Sequence, residues 1–100
     1  KNDETYNNPQ DVYFNSEDIA KKPIVLLGAG TYNITLDNVY LDLSSTEMGT
    51  FHMGDNTDVN LTLIGENTLI SGGDQAGISV GCNSVLTIDG TGSLLVKGGS

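Results

Sequence analysis

The segment Gly54-Asp55-Asn56-Thr57-Asp58 places three oxygen-bearing side chains, Asp55, Asn56 and Asp58, close together in one polar corner. A hard cation such as calcium takes about six to eight oxygens, several from carboxylates and backbone carbonyls. One corner of the chain supplies part of that set, and Glu66 or Asp74 would have to complete it from other corners. The spacing follows neither the EF-hand loop nor the Gly-Gly-x-Gly-x-Asp repeat. Asn and Asp also favour tight turns for purely local reasons. Asp55, Asn56 and Asp58 are thus the candidate Ca2+ ligands, with an ion-free turn as the alternative reading.

Other chemistry has fewer parts. Glycoside hydrolysis needs two carboxylates across one cleft, roughly 5–9.5 Å apart. Asp37 and Asp89 align in one column, but Ile64 falls between them, so solvated acids on an outer face are the simpler expectation. Proton abstraction by a polysaccharide lyase would need a base beside clustered acids. The sequence has no Arg, and Lys1, Lys21, Lys22 and Lys97 lie near its ends or in the polar N-terminal segment. His52 has no second His or nearby Cys to complete a zinc set and should face solvent. Cys82 lies at a corner with no basic neighbour to lower its pKa, so an idle thiol is expected. No residue is assigned a catalytic role. Sugar-binding surfaces use exposed aromatic faces, and Tyr32 and Tyr40 are the candidates for carbohydrate contact. Thr35, Thr62 and Thr87 line up as one outward row, which reads as a structural ladder before it reads as an ice- or crystal-binding surface.

Those side chains need elements to position them, and the sequence supplies them by repetition. Ile24 and Leu26 match Phe51 and Met53, and these match Ile78 and Val80 at the same interval. Ile34-Thr35-Leu36 returns as Leu61-Thr62-Leu63 at that interval too, and a further match, Leu86-Thr87-Ile88, follows slightly sooner. The expectation is three copies of one unit with a short deletion in the last, and internal repetition at a period of about 25–27 residues marks a stacked array. Each unit holds three short alternating apolar stretches, such as "IVL", "NITL" and "VYLDL" in the first, and alternation is the strand signature. Corners rich in Gly, Asn and Asp separate them. The predicted fold is all-β: a right-handed parallel β-helix, or solenoid, of about three such coils. Its predicted inward columns are Ile24/Phe51/Ile78, Leu26/Met53/Val80, Ile34/Leu61/Leu86 and Leu36/Leu63/Ile88. An antiparallel sandwich also suits regular strand spacing, but would not explain why whole units align.

Residues 1–22 are read as a polar N-terminal segment and cap, in which "SEDIAKK" forms a short turn or helix with Ser16 as N-cap. Residues 23–100 form the coils. The last coil has no cap, so the array is expected to continue with further coils, the alternative being end-to-end self-association.

Laid out this way, "GAGTYNITLDNVYLDLS", "VNLTLIGENTLISGG" and "AGISVGCNSVLTIDGTGSLLVKGG" resemble bacterial extracellular right-handed β-helices of the pectate-lyase-like class. Within that class the chain looks most like carbohydrate-binding β-helix domains and the repeat regions of large surface proteins. The resemblance covers the last three-quarters of the chain. It implies a secreted or cell-surface protein, polysaccharide contact along one sheet, and bound calcium as an option. It also leaves open a polysaccharide lyase or hydrolase whose active residues lie in later coils, or a structural stalk.

The bulk numbers set outer bounds. Thirteen acids against four Lys give a net charge of −9. That excludes the basic surface that nucleic-acid binding requires. It favours a neutral polysaccharide, or an acidic one only through a bridging Ca2+. No apolar run approaches the ~20 residues of a membrane helix, so no membrane insertion is expected. No cofactor is required by any motif.

Overall fold

A stretch such as Thr57–Ile64 alternates buried and more exposed residues along its whole length, as a strand with one apolar face must. The computed structural model describes residues 4–15 and 22–99, and every regular element there is a strand. They are β1 (Glu4–Tyr6), β2 (Asp11–Asn15), β3 (Ile24–Leu26), β4 (Gly30–Asp37), β5 (Tyr40–Asp42), β6 (Phe51–Met53), β7 (Thr57–Ile64), β8 (Glu66–Ile70), β9 (Ile78–Val80), β10 (Val85–Gly90) and β11 (Ser93–Lys97). The all-β expectation holds. The expected helix or turn at "SEDIAKK" lies outside the described residues, apart from Lys22.

The strands form three sheets, ordered β1-β3-β6-β9, β10-β7-β4-β2 and β11-β8-β5. Every pair runs parallel, which sets aside the antiparallel sandwich. The chain visits the first, second and third sheets in turn and then returns to the first. Each pass therefore lays one strand on each sheet. Residues 4–15 extend this pattern, because β1 pairs with β3 and β2 with β4. The segment read as a cap thus carries two strands of an earlier, shorter pass.

The inward side chains of all three sheets meet in one core, including Ile24, Leu26, Ile34, Leu36, Leu41, Phe51, Met53, Leu61 and Leu69. The first two predicted columns hold: Ile24 pairs with Phe51 and Phe51 with Ile78, while Leu26, Met53 and Val80 follow the same course. The other two are corrected in the last pass. Leu61 pairs with Ile88, and Leu86 pairs with Val59. On the second sheet the interval of the earlier pass therefore continues unchanged, and the expected deletion is absent there. The physical reason is the strand's own period. A slip of two positions returns every side chain to the same face, so the inward–outward pattern cannot choose between the shorter and the longer interval.

Corners carry the unusual backbone. Asn38, Asn56, Asp74 and Asn83 all have positive φ, at 54°, 61°, 58° and 58°, a conformation Asn and Asp tolerate better than most residues. Gly65 stands one pass beyond Asn38 and has φ +70°. A Cβ there would stand 2.1 Å from Asn38 Oδ1, so this corner requires glycine. Asn38 Oδ1 instead accepts a hydrogen bond from the Glu66 amide at 3.1 Å. Buried polar groups are paired in the same way. Asn67 Oδ1 accepts from the Val39 amide at 2.7 Å, and Thr50 Oγ1 donates to the Gly77 carbonyl at 2.7 Å. Among the described residues no buried side-chain polar atom lacks a partner, which meets the requirement for stable burial.

Candidate functional site

The broadest regular surface is the outer face of the second sheet. Stacking β2, β4, β7 and β10 in parallel register lines their outward residues into columns. One column reads Asp11, Asn33, Asn60 and Thr87. Its neighbour reads Tyr13, Thr35, Thr62 and Asp89. The predicted Thr35/Thr62/Thr87 row is therefore broken, with Asp89 in place of Thr87. The predicted Asp37/Ile64/Asp89 column is broken by the same correction of register: Asp37 pairs with Ile64, but Asp89 pairs with Thr62.

Hydrogen bonds tie the columns together. Asn60 Nδ2 donates to Asn33 Oδ1 at 3.1 Å, and Asn33 Nδ2 donates to Asp11 Oδ1 at 2.8 Å. This amide ladder gives each side chain one orientation, because successive amides all donate in the same direction. The Tyr13 hydroxyl donates to Asp37 Oδ2, whose other oxygen accepts from Asn38 Nδ2 at 2.8 Å. Tyr13 is 52% exposed, so its hydroxyl is anchored while ring surface remains open. The face thus combines an aromatic surface with fixed amide and carboxylate groups and a row of hydroxyls.

The predicted sugar-contact tyrosines separate. Tyr32 is fully buried, and its hydroxyl donates to the Gly28 carbonyl at 2.8 Å. It cannot offer a ring face to a ligand, which corrects that part of the expectation. Burial pushes its phenol above the ordinary value of 10.0, because the ionised form would lose hydration. Tyr40 is 60% exposed and lies on the outer face of the third sheet, in a column with Thr68 and Leu95. Tyr13 was not singled out from sequence. Its segment departs from the regular period, since Asp11 pairs with Asn33 at a sequence separation of 22. The alternation in "DVYFN", with Phe14 inward, was the available signal.

The Asp55, Asn56 and Asp58 group is placed with equal clarity. Asp55 Oδ1 accepts from the Cys82 amide at 2.9 Å, and the Asn56 amide donates to the Cys82 carbonyl at 2.9 Å. These two residues fasten one corner to the next. Asp58 stands on β7, between Thr31 and Val85 in register. Among the described residues no three His, Cys, Asp or Glu side chains converge as a metal set. His52 and Cys82 are exposed.

A groove of about 320 Å³ lies between Ser44, Ile70, Ser71 and Gly72 on one side and Lys97, Gly98 and Gly99 on the other. Its backbone amides are engaged: Ser71 donates to Lys97, Gly72 to Met48 and Gly99 to Gln75, each within 2.9 Å. It follows from corner packing. Among the described residues no helix is long and apolar enough to cross a membrane.

The fold and this surface define an all-β chain with parallel sheets and one broad polar outer face. Comparison with protein-family models, with curated proteins and with solved structures gives no match. The resemblance to pectate-lyase-like β-helices therefore rests on the quoted sequence segments alone.

Proposed function

We propose that the chain is a section of right-handed parallel β-helix serving as a non-catalytic, extracellular binding and scaffold module for polysaccharide. The observation that carries this reading is the outer face of the second sheet, where exposed Tyr13 stands beside the Asp11–Asn33–Asn60 ladder. An aromatic ring supplies apolar contact to the C–H face of a sugar ring. Amide and carboxylate groups at fixed positions pair with its hydroxyls. The return to the first sheet after visiting the other two supports the β-helix assignment, and the sequence resemblance supplies its handedness and extracellular setting. A neutral glycan suits the chain's net charge of −9, since an anionic one would be repelled without a bridging cation.

The test is retention of the folded chain in native gels containing soluble neutral polysaccharides, compared with Tyr13→Ala and Asn60→Ala. The reading predicts slowed migration with at least one glycan, lost in Tyr13→Ala and weakened in Asn60→Ala. Migration that no neutral glycan slows, or slowing that both variants retain, contradicts it.

A further inference from the structure

Asp11, Asn33 and Asn60 stand in register on β2, β4 and β7 and face outward on the second sheet. A carboxylate accepts hydrogen bonds and donates none. Asn33 must therefore turn Nδ2 towards Asp11, and it does so at 2.8 Å. That leaves Oδ1 of Asn33 on the side of β7, where it can only accept. Asn60 must then turn its own Nδ2 towards Asn33, and it does so at 3.1 Å. The direction of the ladder is thus set at one end, by the carboxylate of Asp11. With an amide at that position, both directions would be open.

A side-chain amide has two N–H groups, and the ladder uses one of them. Asn33 and Asn60 each keep a second N–H for a ligand. These donors recur at the strand spacing of about 4.8 Å, all turned the same way. Thr35 and Thr62 add hydroxyls at the same rise in the next column. In an extended glycan with equatorial linkages, one pyranose unit spans close to that distance. Outward residues along a single strand are instead about 6.6 Å apart. They also differ in kind, as Asp58, Asn60, Thr62 and Ile64 do on β7. A repeating chain therefore finds repeating partners across the strands rather than along one.

From this we infer that an extended neutral glycan with equatorial linkages lies across β2, β4 and β7 in one sense only, and that Asp11 is the positioning residue that selects this sense. The inference rests on the polysaccharide reading above and adds chain direction to it. A glycan chain has unlike ends, so turning it round exchanges the donors and acceptors it presents to each rung. One sense alone matches a ladder whose rungs all point the same way. Exposed Tyr13 does not make this choice, since an apolar ring contact accepts a flat sugar in either sense.

The test uses the full chain, isotope-labelled for NMR, and cellotetraose carrying a nitroxide at its reducing end. Broadening of backbone amides locates the nitroxide. The expected result is one-ended: amides around Asp11 on β2, or amides around Thr87 on β10, broaden roughly fivefold more than the other group, which lies about 14 Å away across the stack. Asp11→Asn should still bind the probe, with circular dichroism unchanged, yet broaden the two groups nearly equally. Asn33→Thr interrupts the ladder and should equalise them too, so it decides if Asp11→Asn fails to fold. Equal broadening in the unaltered chain overturns the single sense. Strongest broadening at Asp58 or Ile64 overturns the course across the strands. One-ended broadening that survives Asp11→Asn removes Asp11 from the selection. If cellotetraose does not bind while native gels show another neutral glycan slowing the chain, this inference fails and the polysaccharide reading stands; if no glycan slows it, both fail.

Discussion

Ile34, Leu61 and Ile88 occupy one column on three successive strands of the second sheet, yet they are 1%, 0% and 50% exposed. Leu26, Met53 and Val80 repeat the contrast on the first sheet at 0%, 0% and 49%. All six side chains are apolar and point inward. The difference lies in what stands on either side. A middle layer is covered above and below, whereas the last layer is covered on one side only. Burial here is a property of the neighbour as much as of the residue, which is why stacked repeats are stable only together. A residue's position along the stack therefore governs how much its substitution costs.

The largest effect should come from breaking the middle of that column. Leu61→Ala is expected to destabilise the chain by about 2–5 kcal/mol, because the cavity it leaves is enclosed on every side. Ile88→Ala should cost under about 1.5 kcal/mol in dilute solution, since half of its surface already meets water. Urea unfolding of the two variants measures both, and equal losses would break the comparison. Asn67→Ala comes next, at about 1–3 kcal/mol. It leaves the Val39 amide without its 2.7 Å acceptor in a buried corner. Leu94, paired with Asn67 on the last layer, is only partly buried and bears no such side-chain bond, so Leu94→Ala should cost less in the same assay.

The smallest expected effect is confined to alkaline solution. Burial holds the Tyr32 phenol neutral and raises its pKa above 10.0. Below pH 10 both folded and unfolded chains keep this proton, and the contribution to stability is full. As pH rises further, the unfolded chain releases the proton first, so stability falls until the folded phenol also ionises. Tyr32→Phe should flatten that alkaline decline, measured as the urea midpoint between pH 9 and 11. An unchanged slope would mean that other groups control it.

Much of this organisation was legible in the sequence. The constant interval separating Ile24, Phe51 and Ile78 revealed the repeat, and alternation revealed which residues face inward. What alternation could not reveal was register, because Leu61 finds as suitable a partner at Leu86 as at Ile88. The burial of Tyr32 is legible in the alternation of its strand. It shares the odd–even phase of Ile34 and Leu36, which places it in the core. Tyr13 was harder, since β2 joins the sheet at a separation of 22 where the next strand pair has 27, and no repeat pointed to it. The Asp55–Asn56–Asp58 group illustrates a different limit. Ligand chemistry and corner chemistry use the same residue types, and the hydrogen bonds to Cys82 show a corner role for Asp55 and Asn56 alone.

The most direct test of the claim that neighbours set burial is residue-resolved amide hydrogen exchange, read by NMR on a dilute sample. Amides of β7 and of Asn33–Asp37 on β4, flanked by strands on both sides, should exchange slowly. On β9, β10 and β11 the amides directed away from the stack should exchange roughly tenfold faster or more, since only local opening limits them. Uniform slow exchange across β7 and β10 at low concentration would contradict the account, because the last layer would then be protected without a neighbour.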